Sequence, residues 1–121
     1  MTDTINLNES ILDDVKKIIG LAPEITDFDQ DLILHINSIL AVLTQIGIGP
    51  SEGFSIACNT EKWSDFLGSG AELNYIKSYV AMRVRLIFDP PTNSNVTQAL
   101  EKYCSEFETR AHYVRELNKD N

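Results

Sequence analysis

The chain has 121 residues, an apolar fraction of 43% and a net charge of −8. This length suits one domain with one modest hydrophobic core, and no apolar run reaches the roughly 18 residues of a membrane span. The negative charge argues against ordinary nucleic-acid binding, in which Lys and Arg replace the counterions of the phosphates.

The chain begins with a polar segment, residues 1–9, which we expect to be a flexible extension. It lacks the basic and then apolar order of a signal peptide, so the protein is expected to stay in a reducing cytosol, with Cys58 and Cys104 as free thiols. The first 31 residues carry eight acidic and two basic side chains. Such a surface suits a basic protein partner, or a wall past which DNA slides without sticking.

The first predicted helix begins at Ser10, which forms a capping box with Asp13. It ends near Ile19, because Gly20 can take the left-handed conformation that closes a helix. Its apolar residues fall at helical spacing, so one face is expected to be buried.

The second predicted helix has Thr26 as its cap and runs to Ile46, with Gly47 ending it. Its apolar residues cover about half of the circumference at 100° per residue. They are Leu32, Ile33, Ile36, Ile39, Leu40, Val42, Leu43 and Ile46. This helix is therefore predicted to flank the core.

A glycine-rich loop follows, since five of the six glycines lie between Gly47 and Gly70. Within it, residues 60–68 are predicted to make one or two helical turns, with Thr60 as the cap. The aromatic side chains of this segment are expected to anchor the loop to the core, and they are Phe54, Trp63 and Phe66.

The third predicted helix spans residues 71–88 and has two apolar stripes about half a turn apart. One stripe is Leu73, Ile76, Val80, Val84 and Ile87, and the other is Tyr75, Tyr79, Met82 and Leu86. A helix that is apolar on nearly all sides must be covered on nearly all sides. Because three other helices can do this only partly, the second stripe predicts contact with a neighbouring subunit.

The break at Asp89-Pro90-Pro91 ends this helix, because a residue before proline leaves the helical region and proline has no backbone N–H to donate. A fourth helix, capped by Asn93 or Ser94, is predicted to reach Leu117. Its apolar residues form a narrow seam, so we expect it to pack along one line and to extend toward a partner. Residues 10–117 then form one all-α domain of about four main helices, and residues 118–121 form a disordered tail.

Motifs for chemistry are weak throughout the chain. Asp27, Asp29 and Asp31 begin like a calcium loop, but the glycine and glutamate that should follow are absent. His35, Cys58, Cys104 and His112 lack zinc-site spacing, and no phosphate loop or nucleophile motif is present. The sequence therefore predicts no enzyme, no cofactor and no metal site. For Arg83 and Arg85, ordinary salt bridging is favoured over contact with a partner subunit.

Several short blocks, in their order along residues 10–117, resemble the small head-tail connector or adaptor proteins of long-tailed bacteriophages. They include Asp13-Asp14-Val15-Lys16-Lys17, Gly47-Ile48-Gly49-Pro50, Trp63-Ser64-Asp65-Phe66-Leu67-Gly68, Lys77-Ser78-Tyr79-Val80, Arg83-Val84-Arg85-Leu86-Ile87-Phe88-Asp89-Pro90-Pro91 and Glu106-Phe107-Glu108-Thr109-Arg110. The most specific pieces are the Trp-Ser-Asp-Phe-Leu-Gly block and the Phe-Asp-Pro-Pro break. The extension 1–9 is longer than the family pattern suggests.

The resemblance implies a virion protein made in the host cytoplasm, which forms a ring of about twelve copies under the portal. Such a ring extends the DNA channel, lets double-stranded DNA pass without specific binding, and provides a platform for the stopper or tail-completion protein. Candidate contacts with another subunit or the portal are Tyr75, Tyr79, Met82, Arg83, Arg85, Leu86, Arg110 and Arg115. Asp89, Pro90 and Pro91 are the expected hinge between the ring and a projecting arm.

An alternative interpretation is an acidic, non-enzymatic binding protein, such as an inhibitor that mimics the charge of DNA. The second stripe of the third helix distinguishes the two hypotheses. A connector should use that stripe between subunits, whereas a stable monomer should bury it internally.

Overall fold

The structure is a computed structural model, which describes residues 9–68 and 73–119. Its helices are α1 (Ile11–Ile18), α2 (Asp29–Ile46), α3 (Trp63–Leu67), α4 (Leu73–Phe88) and α5 (Ser94–Lys119). The prediction of an all-α bundle with four main helices and one short helix between the second and third is therefore confirmed. The boundaries of the domain and of its two tails stay predictions.

The start of helix α1 is fixed by a side-chain cap and by a backbone bridge. Ser10 caps it as predicted, with the backbone N–H of Asp13 donating to the Ser10 hydroxyl at 3.2 Å. An isolated antiparallel bridge joins Ser10 to Lys62 and fastens the beginning of α1 to that of α3. Ile11, Leu12 and Val15 are buried, which gives the short helix its place in the core.

Helix α2 begins later than the sequence predicts. Its first residue is Asp29, no side chain caps it, and the carbonyl of Thr26 accepts a hydrogen bond from the Asp29 N–H. The prediction that Thr26 is the cap is therefore wrong, because this residue closes a turn before the helix. Gly47 ends α2 in the left-handed conformation as predicted, with φ of 103°.

The core lies where α4 packs against α1, α2 and α5. Phe28, just before α2, contacts Phe88 at the end of α4, with ring centroids 5.3 Å apart. Since α2 and α4 also pack along each other, they run antiparallel. The buried aliphatic residues of α2 are Leu32, Ile36, Ile39, Leu40, Leu43 and Ile46. Val42, which was predicted to share this face, is instead exposed.

The loop before α3 is held by side chains that satisfy backbone groups. The carboxylate of Glu61 accepts hydrogen bonds from the N–H groups of Ala57 and Cys58, and the Asn37 side chain pairs with both backbone groups of Ile56. These hydrogen bonds keep the chain non-helical up to Lys62, which is the N-cap of α3. The prediction that Thr60 is the cap is therefore wrong.

Gly49 comes very close to Phe66, and this contact gives a direct test of the loop. A Cβ atom at Gly49 would lie 2.3 Å from Phe66 Cε1, in a backbone with φ of +84°. We expect Gly49→Ala to lower the free energy of unfolding by about 2 kcal/mol, from left-handed strain plus displacement of the ring. Gly20→Ala is the control, because Gly20 has φ of +92° but nothing within 4 Å. Equal losses in urea unfolding would show that the Phe66 contact contributes nothing.

Helices α4 and α5 are separated by the proline break, as predicted. The beginning predicted at Ala71 lies outside the described residues, and α4 ends at Phe88. The side-chain oxygen of Asn93 accepts from the N–H groups of Asn95 and Val96, which confirms Asn93 as the cap of α5. Helix α5 has 26 residues and reaches Lys119, about two residues beyond the predicted end. At 1.5 Å per residue it is about 39 Å long.

Candidate functional site

Helix α4 is the centre of the predicted site, and α5 covers one of its sides. Tyr79 is buried and stacks on Phe107, with ring centroids 4.5 Å apart and planes at 17°. The Tyr79 hydroxyl donates to the carboxylate of Glu108, and Arg83 forms a salt bridge with the same carboxylate at 2.6 Å. Burial, followed by the bond to Glu108, raises the pKa of Tyr79 above its ordinary value. Tyr79 therefore belongs to the packing within one chain.

A second side of α4 is fixed by a buried carboxylate on α1. Asp14 accepts a hydrogen bond from Trp63 Nε1 at 2.8 Å and pairs with Lys77 Nζ at 2.7 Å. Lys77 also pairs with Glu9 at 3.0 Å. Burial lowers the pKa of Lys77, but the bonds to Asp14 and Glu9 outweigh that effect and raise it. These contacts tie α1, α3 and α4 to one another.

The remaining side of α4 is partly open to solvent. Tyr75 is 65% exposed, Arg85 is exposed, and Ser78 and Met82 are half-buried between them. These four residues are spaced at i, i+3, i+7 and i+10, so they form one line along the helix. We call them the open strip of α4. It is the side of α4 that the described residues cover least, although Met82 also packs in part against the core.

The predicted contact residues therefore differ in their surroundings. Tyr79 and Arg83 are engaged by α5 within the chain, whereas Tyr75, Met82 and Arg85 belong to the open strip. Met82 and Leu86 are both half-buried and pack against the core, and Arg110 is exposed on α5. The side chain of Arg115 lies outside the described residues. Salt bridging, which the sequence favoured for both arginines, is seen for Arg83.

The aromatic residues of the loop and the proline break each have defined contacts within the chain. Trp63 and Phe66 are buried, and Phe54 is half-buried with its ring 5.4 Å from that of Phe66. At the break, the Thr97 hydroxyl donates to the carbonyl of Pro91 at 3.1 Å. The proline break is therefore hydrogen-bonded to the first turn of α5.

Two exposed apolar residues differ from what the sequence indicates. Ile87 belongs to the first apolar stripe of α4 but is 52% exposed, because it lies in the last turn of the helix, where coverage ends. Leu34 on α2 is 64% exposed. A sequence signal for the α2 surface existed, because residues 32–51 contain no charged side chain.

The two arginines of α4 offer a matched pair for testing the internal contact. We expect Arg83→Met to lower the free energy of unfolding by about 1–2 kcal/mol, because it removes a charge-assisted bond to Glu108. Arg85→Met should change it by less than about 0.5 kcal/mol, because Arg85 is exposed. Urea unfolding followed by circular dichroism measures both. Equal effects would argue that the Arg83–Glu108 pair does not hold α5 on α4.

Three further features concern the described part of the chain, namely possible metal ligands, the thiols and the hydropathy of the helices. No three His, Cys, Asp or Glu side chains described in residues 9–68 and 75–112 lie where they could share a metal ion. Cys58 and Cys104 are free thiols, and burial raises the pKa of Cys104, which disfavours its thiolate. Among the described helices, none combines the length and apolar character needed to cross a bilayer.

Comparison with known proteins gives one family. A family model described as "Phage connector protein" matches residues 11–118. No curated protein and no solved structure matches the chain.

Proposed function

The chain belongs to the phage connector protein family, and we propose that about twelve copies of it form a ring under the portal. Family membership makes it a structural component of the virion, of a kind that assembles with other virion proteins rather than catalysing a reaction. In the proposed ring it extends the DNA channel at the neck and offers a platform to the stopper or tail-completion protein. The family match favours this function over an acidic inhibitor, and it is the observation that carries the proposal.

The open strip of α4 supports assembly. It presents a large aromatic residue, Tyr75, and a thioether, Met82, together with a cation, Arg85, at the surface of a single copy. Aromatic residues, Met and Arg are the types enriched at the centres of protein interfaces. A neighbouring protein that covers this strip would complete the burial that the apolar pattern of α4 demands.

The charge of the chain supports passage of DNA without binding. A net charge of −8 per copy gives a ring a strongly negative field, which repels phosphates at short range. In this proposal, the surface that lines the channel repels the DNA, so the DNA passes without binding.

The proposed ring can be tested by mixing the purified protein with portal rings or with DNA-filled capsids. We expect electron microscopy to show an added ring on the portal, at one vertex of each capsid. Capsids assembled without portal are the control and should gain no density. Unchanged portal particles at saturating protein would contradict the proposed function.

The proline break is proposed to set the angle between α4, in the wall of the ring, and α5, which reaches toward a partner. We expect Pro90→Ala/Pro91→Ala to keep the fold, because Tyr79, Phe107 and the Arg83 pair still hold α5, with a loss of about 1–2 kcal/mol. The yield of portal-bound rings in micrographs should fall severalfold.

The control for this variant is Pro23→Ala, which removes a proline from an exposed turn and keeps the carbonyl that Lys16 uses. It should assemble normally. If the double variant assembles and docks as well as this control, the break has no role in setting the angle.

A further inference from the structure

The outer face of α2 carries no charge over most of its length. Residues 32–51 contain no Asp, Glu, Lys or Arg, and Leu34, Ser38 and Ala41 are exposed on one side of the helix. The Ser38 hydroxyl donates to the Leu34 carbonyl at 3.0 Å, so its hydrogen is directed to the helix itself. Solvated helix faces usually carry charged residues. This face therefore has the character of a contact surface.

The open strip of α4 lies on the opposite side of the bundle. Tyr79 and Arg83 face α5 and Lys77 faces α1, so the buried sector between them faces α2. Val80 is in the middle of that sector, and Ser78 and Met82 each lie about 200° from it at 100° per residue. The open strip therefore points away from α2.

The outer face of α2 points the other way by the same geometry. Ile36 is buried against the core, and Leu34 and Ser38 each lie about 200° from it around the helix. One copy thus has a contact face on each of two opposite sides. This is the arrangement that a ring requires, because each member contacts its two neighbours through different surfaces.

We propose that the outer face of α2 in one copy packs antiparallel against the open strip of α4 in the next copy. The inference rests on the proposed function and names the partner of the open strip, which is a second copy of this chain. The spacing of the two faces agrees, since each has residues at i, i+3, i+7 and i+10. The four pairs along the contact are Asp31 with Arg85, Leu34 with Met82, Ser38 with Ser78, and Ala41 with Tyr75.

The four pairs are complementary in charge, polarity and size. Asp31 and Arg85 are exposed and of opposite charge. Leu34 meets the flexible thioether of Met82, which adapts well to an apolar neighbour. At the far end, the small Ala41 leaves room for a large ring, which Tyr75 supplies. An antiparallel seam of this spacing is the common geometry of packed helices.

For helices that run along the ring axis, the contact inside one copy gives the same register. Copies in a closed ring are related by rotation alone, without a shift along the axis. If the helices run along that axis, each residue of the neighbour's α2 has the same height as in the first copy. Phe28 contacts Phe88 in one copy, and counting three residues onward and backward from this pair gives Asp31 and Arg85. The heights therefore select the register that the side chains match.

A disulfide between copies tests the contact directly. In a Cys58→Ser background, we expect Leu34→Cys/Met82→Cys protein bound to portal rings to lose its monomer band on mild oxidation and to give a ladder of covalent multimers. Within one copy the two positions are about 14 Å apart, from the interaxial distance and two Cα radii. A disulfide needs Cα atoms closer than about 7 Å, so the ladder can form only between copies.

Three controls define the result. Each single cysteine variant should stay monomeric on oxidation, and a dimer would mean a two-fold contact and overturn the proposal. Leu34→Cys/Tyr75→Cys uses the same two faces about 10 Å out of register, and equal linking by this variant would overturn the register. Rings in micrographs without any ladder would overturn this contact and leave the proposed function standing. Absence of rings would overturn both.

Charge exchange gives a second measurement that needs no cysteine. Asp31→Arg or Arg85→Asp alone should weaken assembly roughly fivefold per contact, because like charges then face each other. The combination of both substitutions should restore assembly, because it restores the pair of opposite charges. If Asp31→Arg acted only by removing a negative charge from the start of α2, adding Arg85→Asp would not restore assembly. Ring yield at a series of protein concentrations measures all three variants. A combination no better than either single variant would overturn the proposed pair.

Discussion

Replacing Trp63 with alanine lowers the free energy of unfolding by about 3–5 kcal/mol, because it opens a cavity where the bundle is closed on all sides. The indole is buried completely, and its Nε1–H donates to Asp14. The substitution therefore also takes one donor from a buried carboxylate, which Lys77 then satisfies alone. Urea unfolding followed by circular dichroism measures the loss. Fluorescence does not serve, since Trp63 is the one tryptophan of the chain.

The variant Trp63→Phe separates the two parts of this effect. It keeps most of the apolar volume and removes the N–H, so we expect a loss of about 1–3 kcal/mol. A Trp63→Ala protein within about 1 kcal/mol of the natural chain would contradict the packing described for Trp63. Equal losses for the two variants would place the whole effect in the bond to Asp14.

The elements themselves were largely predictable, because local rules act on neighbouring residues. Ser10, Gly47 and Asn93 act as the sequence indicates, since capping needs only a side chain or a left-handed residue at the right position. Thr26 and Thr60 fail because other groups close turns there first. A potential cap therefore has to compete with every alternative partner for the same backbone groups.

The division of α4 into covered and open sides was not predictable from its periodicity. Two apolar stripes show that two faces of α4 should be buried, but they do not show which face packs against α5. The structure assigns Tyr79 to α5 through its stacking on Phe107 and leaves Tyr75 open. The choice depends on where the seam of α5 arrives after the break, which is a tertiary property.

Lys16 is the residue that the sequence describes least well. A lysine in the last turn of a short amphipathic helix reads as a surface residue, yet its side chain is 1% exposed. Its ammonium group donates to the carbonyl of Pro23 at 3.0 Å and pairs with Asp29 at 2.8 Å. The pair fastens the end of α1 to the start of α2. Only the path of the intervening turn, which no local pattern specifies, brings these groups together.

We expect Asp29→Ala to lower the free energy of unfolding by about 2–3 kcal/mol, because it leaves the buried ammonium of Lys16 without its counter-charge. This expected loss is smaller than for a fully buried ion pair, because the Asp29 side chain is 24% exposed. Asp31→Ala removes a charge from the same helical turn and should cost less than about 1 kcal/mol. Lys16→Met replaces the cation by an apolar chain of similar length, so it should stay within about 1 kcal/mol of the natural protein. If Lys16→Met proves as damaging as Asp29→Ala in urea unfolding, the pair itself stabilises the turn, and desolvation of an unpaired charge is not the cause.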